Sequence, residues 1–297
     1  MVLQMKNRSN AACLISFCLL LVACGSAPEK QNSRTEQASK LSTRADAAFL
    51  QGDFEKAKND YLQALHVSQS VENTSAIAII RFNLARVFRE LAQPGHAHLQ
   101  LDALFSESAL PYPPTTLAAS AALKSRLYLE GNEPLPALSW IEKGEAYCQK
   151  NCIVAGSLLL LRAQLAQRDN RLDEALKLAD AAVSALNSGN QQMELANALR
   201  LSGEICLSRN DNAKALQLFQ QAYAIDQKLG IPGKIRLDLL RLGTGHERAG
   251  EKKIALHYYS RALAVSSAMG NIQGAEEARA LMNNLPNTPP ADTSGPR

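Results

Sequence analysis

Cysteine and histidine are the side chains here best suited to redox, metal or nucleophilic work, and their spacing limits what they can do. Cys148 and Cys152 stand as Cys-Gln-Lys-Asn-Cys. In an oxidising compartment so close a pair forms a disulfide that pins its loop; kept reduced, it leaves two free thiols. A redox centre more usually takes the form Cys-x-x-Cys in a thioredoxin-like setting, and that pattern is absent. Cys206 falls on the buried side of a predicted helix and reads as a small core residue. Of the five histidines only His96 and His98 are close together, and no cysteine or carboxylate cluster accompanies them. No metal site is predicted. The sequence has no phosphate loop, no Gly-x-Ser-x-Gly elbow and no zinc-protease helix, and nothing in it assembles a nucleophile, a base and an orienting group. We therefore expect no catalytic residues, no cofactor and no enzyme.

The elements that position these residues are repeated. The stretch from Leu195 to Asp226 reads LANALRLSGEICLSRNDNAKALQLFQQAYAID. Apolar residues recur at helical spacing on both sides of Asn210-Asp211, which predicts helix, tight turn, helix. The unit recurs around Ala57, Ala97, Ala137, Ala175, Ala215 and Ala255, which lie 40, 40, 38, 40 and 40 residues apart. Twelve positions before each alanine is a small residue: Ala45, Ala85, Ser125, Ala163, Gly203 or Gly243. Five before it is Gly52, Ala92, Asn132, Asn170, Asn210 or Gly250. All but Ala92 are glycine or asparagine, the residues that tolerate a left-handed backbone at a helix end. Four after it stands Tyr61, Leu101, Ile141, Ala179, Phe219 or Tyr259, and seven after it Ala64, Leu104, Gly144, Ala182, Ala222 or Ala262. Antiparallel helices approach closely where small residues face each other, and the larger residue fills the next gap. Five columns in register over six copies signal a repeat array.

Composition agrees. The chain is 46% hydrophobic but only 5% aromatic, as helices packed through small residues require. The formal charge of +4 falls to about +2 if Lys6 and Arg8 are removed with a leader. So small an excess leaves no nucleic-acid footprint.

These columns resemble the tetratricopeptide repeat (TPR) family, from roughly Ala38 to Gly270. The period of about 40 is similar to the longer repeats of kinesin light chains. Leu104, Gly144 and Ala92 depart from the family pattern. The resemblance implies an all-α fold, an α-solenoid of about six helix-turn-helix repeats. Ile272–Asn284 is read as a C-terminal capping helix. Pro111, Pro113 and Pro114 interrupt the pattern between repeats two and three, as an ordered connector or as a division into two blocks. In TPR proteins the first helix of each repeat lines a concave groove. By register this places Phe82, Arg86, Arg89, Glu90, Arg126, Glu130, Gln164, Gln167, Arg168, Arg200, Glu204, Glu247 and Arg248 inward. A ladder of arginines suits carboxylates or the backbone of an extended partner. The opposing reading is a plain solvated face, with Arg86–Glu90, Arg126–Glu130 and Arg200–Glu204 paired within their own helices.

The N-terminus carries Lys6 and Arg8, then an apolar run from Ala11 to Ala23 that is short for a membrane span. It ends Leu21-Val22-Ala23-Cys24-Gly25, which resembles the lipobox of bacterial lipoproteins. The resemblance implies cleavage before Cys24, a lipid on its thiol, and, by the family's sorting rule for Gly25, a place on the outer membrane facing the periplasm. An ordinary secretory signal and an uncleaved anchor are the alternatives. The expected organisation is a signal peptide over 1–23, a lipidated cysteine and flexible tether over 24–37, a solenoid over 38–285 and a disordered proline-rich tail over 286–297. The expected role is a noncatalytic scaffold that binds a protein or peptide and supports assembly of an envelope complex. A pilotin-like factor for a pilus or secretion secretin and a regulator of a cell-wall enzyme are the specific alternatives.

Overall fold

A computed structural model of the chain describes residues 33–106, 110–148, 152–187, 189 and 191–285. The expected signal peptide, Cys24 and the proline-rich tail lie outside the described residues. Among the described residues the chain forms thirteen helices and no strand. Repeat one is α1 (Ser33–Leu50) and α2 (Phe54–Gln69), and repeat two is α3 (Thr74–Glu90) and α4 (Pro94–Ser106). Repeat three is α5 (Pro114–Glu130) and α6 (Pro134–Tyr147), and repeat four is α7 (Ala155–Arg168) and α8 (Leu172–Asn187). Repeat five is α9 (Gln192–Ser208) and α10 (Asn212–Leu229), and repeat six is α11 (Pro232–Arg248) and α12 (Lys252–Ala268). The last helix, α13 (Ile272–Asn284), packs on α12 and covers the end of the array.

The turn column has one backbone conformation. Gly52, Ala92, Asn132, Asn170, Asn210 and Gly250 all have positive φ, between 55° and 80°. This left-handed residue lets the next amide turn back onto the preceding helix, as in the bond from Asp211 N to Cys206 O at 2.9 Å. Asp53 and Asp211 then cap the second helix, each accepting from the amide of Lys56 or Lys214 at 3.1 Å. Ala92 has φ of 55° with a side chain that disfavours it. We expect Ala92→Gly to raise stability by about 0.5–1 kcal/mol, the relief of this conformation less the extra freedom of glycine in the unfolded chain. The readout is a higher denaturant midpoint at unchanged slope. A lower midpoint would show that the unfolded-state cost dominates.

The four remaining columns form the core. The anchor alanines, the small residues before them and the large and small residues after them are all buried. In repeats five and six the columns also compensate one another in size. Gly203 lies against the ring of Phe219 and Gly243 against that of Tyr259. Ala85, Ser125 and Ala163 occupy the same place where the later column carries Leu101, Ile141 and Ala179.

One boundary differs from expectation. Ser33–Gln37 belong to α1 and not to the tether. These residues have no apolar side chain to signal a helix. Glu36 in the first turn favours one through the helix dipole and pairs with Lys40 one turn on, at 2.7 Å. The proline segment is an ordered connector. Tyr112 is buried in one core with residues of repeats one and two and with Leu117, Leu123 and Leu127 of α5. Pro113 and Pro114 then open α5, where the missing amide costs nothing.

Candidate functional site

The first helices of successive repeats touch side by side, α3 to α5, α5 to α7, α7 to α9 and α9 to α11, and their exposed positions line one face. The register therefore places the arginines together. What it misses is their partners. Arg89 embraces both oxygens of Glu130 in the next repeat, at 2.7–3.1 Å, and gives Nη1 to Glu90 at 3.0 Å. Arg126 does not take Glu130. It gives Nη2 to Glu194 of α9 at 3.1 Å, reaching past repeat four. Arg168 bonds the Asn132 side chain. Glu204 accepts from Arg241 of α11 at 2.5 Å, not from Arg200. Of the expected pairs within single helices, Arg126–Glu130 and Arg200–Glu204 give way to bonds between repeats, whereas Arg86 and Glu90 each take another partner on α3.

Arg200 departs most from expectation. It is 7% exposed and is not a groove side chain free for a partner. It gives Nε to Asp238 Oδ1 at 2.7 Å, Nη2 to Asp226, and Nη1 to Asn197 Oδ1 at 2.9 Å. Lys234 Nζ reaches the same Asn197 oxygen at 3.0 Å. Burial, followed by the nearby Arg200 charge, pushes the Lys234 ammonium down. Sequence reasoning missed Glu194, Asn197, Asp226, Lys234 and Asp238. The only signal was a group of three charges, Lys234, Arg236 and Asp238, among the apolar residues at the start of α11.

The open part of the face lies at repeats one and two. Arg86 is exposed there, with its guanidinium 4.6 Å from the Phe49 ring centre and 6.0 Å from that of Phe82. It donates to Asn83 Oδ1 at 3.2 Å. Among the described residues it has no ion pair with a carboxylate. Stacking holds the cation in place without neutralising it. Ile79 adds an exposed apolar side chain to this helix. Gln164 stands half-buried on α7 between the two halves of the face.

The other candidates fall elsewhere. His96 stacks on Phe88 and His98 lies tilted against Tyr128, so the two rings serve different contacts. Burial pushes His98 down. Cys148 and Cys152 are joined by a disulfide that closes the loop between α6 and α7, with Cα atoms 5.1 Å apart. Cys206 is buried. Among the described residues no three His, Cys, Asp or Glu side chains group to hold a metal ion, and no helix is long and apolar enough to cross a membrane.

Comparison with known proteins agrees with this geometry. Residues 154–228 match the tetratricopeptide repeat family. No curated protein matches the chain. Among solved structures, the chain is similar to a signal transduction ATPase (STAND) protein with a tetratricopeptide repeat sensor from Pyrococcus horikoshii. The identity is 15% and the TM-score 0.62, over 82% of this chain and 37% of that one, so the likeness spans little more than a third of the ATPase. It is similar to a Rap protein complexed with competence and sporulation factor, at 12% identity and TM-score 0.60, over 84% of this chain and 70% of that one. It is also similar to PilW, a type IV pilus biogenesis factor, at 12% identity and TM-score 0.57, over 82% of this chain and 98% of that one. Residues 154–228 thus carry the tetratricopeptide repeat, within a chain that folds as an α-solenoid of TPR type.

Proposed function

We propose that this protein is a noncatalytic scaffold, anchored to the outer membrane through a lipid on Cys24, that holds a protein or peptide partner on its concave face in the periplasm. The observation that carries the binding reading is Arg86, an exposed and unneutralised cation fixed over Phe49 and Phe82. A carboxylate beside an apolar side chain would satisfy both the charge and the rings. The Rap structure, a complex with competence and sporulation factor, supports use of such a fold for binding. The lipid anchor rests on Lys6, Arg8, the apolar run and Leu21-Val22-Ala23-Cys24-Gly25.

The test is cross-linking in native membranes, comparing the parent with Arg86→Ala. Arg126 and Arg200 are unsuitable, since their ion pairs hold repeats together. We expect the variant to lose about tenfold in capture of a partner specific to the parent, or roughly 1.4 kcal/mol. Equal capture would move the site off this face. For the anchor, Cys24→Ala should abolish incorporation of labelled fatty acid and release the protein from membranes. A variant that still takes up label would rule out the lipobox. A pilotin-like role is the second reading, favoured by the near-complete coverage of the pilus biogenesis factor.

A further inference from the structure

Arg200 of α9 sits between two carboxylates from different helices, Asp226 of α10 and Asp238 of α11. Both aspartate side chains are 0% exposed. Arg200 uses one oxygen of each, Asp226 Oδ2 and Asp238 Oδ1. That leaves Asp226 Oδ1 and Asp238 Oδ2 buried without a donor. The two carboxyl groups take adjacent donors, Nε and Nη2, on one edge of the guanidinium and so stand side by side. Two ionised carboxylates cannot bond, because both are acceptors only. A single proton converts their contact into an O–H···O bond. It also brings the charge of the triad from −1 to zero, in a site where an unbalanced charge is costly.

Among the described residues, none of the remaining charged groups near the triad bonds either aspartate, although the Lys234 ammonium feels the charge of Asp226. Lys234 of α11 directs its Nζ to Asn197 Oδ1 of α9, an oxygen it shares with Arg200. Arg126 of α5 and Glu194 of α9, farther along the same face, pair with each other.

We propose that Asp226 and Asp238 share one proton, and that its loss makes the joint between repeats five and six pH-sensitive. The joint is tight while the proton is held and carries a buried net negative charge once it leaves. Consistent with this geometry, burial holds Asp238 up at about 6; Arg200 opposes the shift and Asp226 reinforces it. The folded value lies above the unfolded one of about 3.9. Stability from this group is therefore complete below about pH 4 and is lost as the pH rises through about 6. The inference rests on the triad alone and is independent of the proposed anchor and groove.

The test compares melting temperatures of the purified protein and of Asp238→Asn at pH 5 and pH 8. An asparagine amide gives Asp226 a permanent neutral donor. We expect the parent to lose several degrees more than the variant between the two pH values, and the variant to melt above the parent at pH 8. Histidine titration affects both proteins alike and cancels in the comparison. Parallel curves would overturn the proposal. Should the variant fail to fold, carboxyl ¹³C titration of the parent decides. One aspartate changing near pH 6 supports the shared proton, and aspartates that all change near pH 4 refute it.

Discussion

Arg200→Ala is expected to cost roughly 3–5 kcal/mol at pH 8, among the largest losses that one substitution can cause in this chain. The change removes the only cation bonded to Asp226 and Asp238 among the described residues and leaves both carboxylates enclosed. It also takes a donor from Asn197. Arg200→Lys should recover only part of the loss, because an ammonium is a point charge and cannot span two carboxylates on different helices as the planar guanidinium does. The deficit should shrink towards pH 5, where the acid pair can take up protons. Urea titrations at the two pH values provide the measurement. A loss below about 1 kcal/mol would mean that water reaches the carboxylates once the arginine is gone.

Phe219→Ala should cost a similar 3–5 kcal/mol, through the cavity left by a fully buried ring. Its neighbour gives the complementary result. A Cβ at Gly203 would lie only 2.5 Å from Phe219 Cε1. Gly203→Ala, although it adds a single methyl group and favours the helix, should therefore destabilise by about 1–3 kcal/mol. Combining Gly203→Ala with Phe219→Leu should lose less than the sum of the separate losses. A double-mutant cycle reads that coupling directly. Strict additivity would show that the two residues do not share one space.

These two sites also show what the sequence made legible. The Gly203–Phe219 contact lay in the columns, because packing between adjacent helices repeats with the chain and leaves a small residue and a large one at fixed offsets. The turn column was equally readable except at Ala92, whose residue type argued against the positive φ that it adopts. The Arg200 triad was not readable. Its members come from three helices at separations of 26 and 38 residues, and no other repeat places the same charges at those positions. Register placed Arg126 on the correct face, but its partner two repeats away depends on how far the array curves, which is a global property. The beginning of α1 escaped for a simpler reason. Polar residues stabilise a helix terminus through charge and capping, and these leave no apolar periodicity to detect.

The bond from Arg126 to Glu194 has a consequence for how the molecule unfolds. In an ideal solenoid each unit senses only the units beside it, so the array behaves as a one-dimensional chain that can fray from either end in small steps. A contact between repeats three and five adds a second-neighbour coupling across repeat four. Fraying that reaches either flank must break this contact before it proceeds. Repeats three to five should consequently exchange their amide hydrogens as one cooperative unit, while repeat one and α13 exchange earlier and independently.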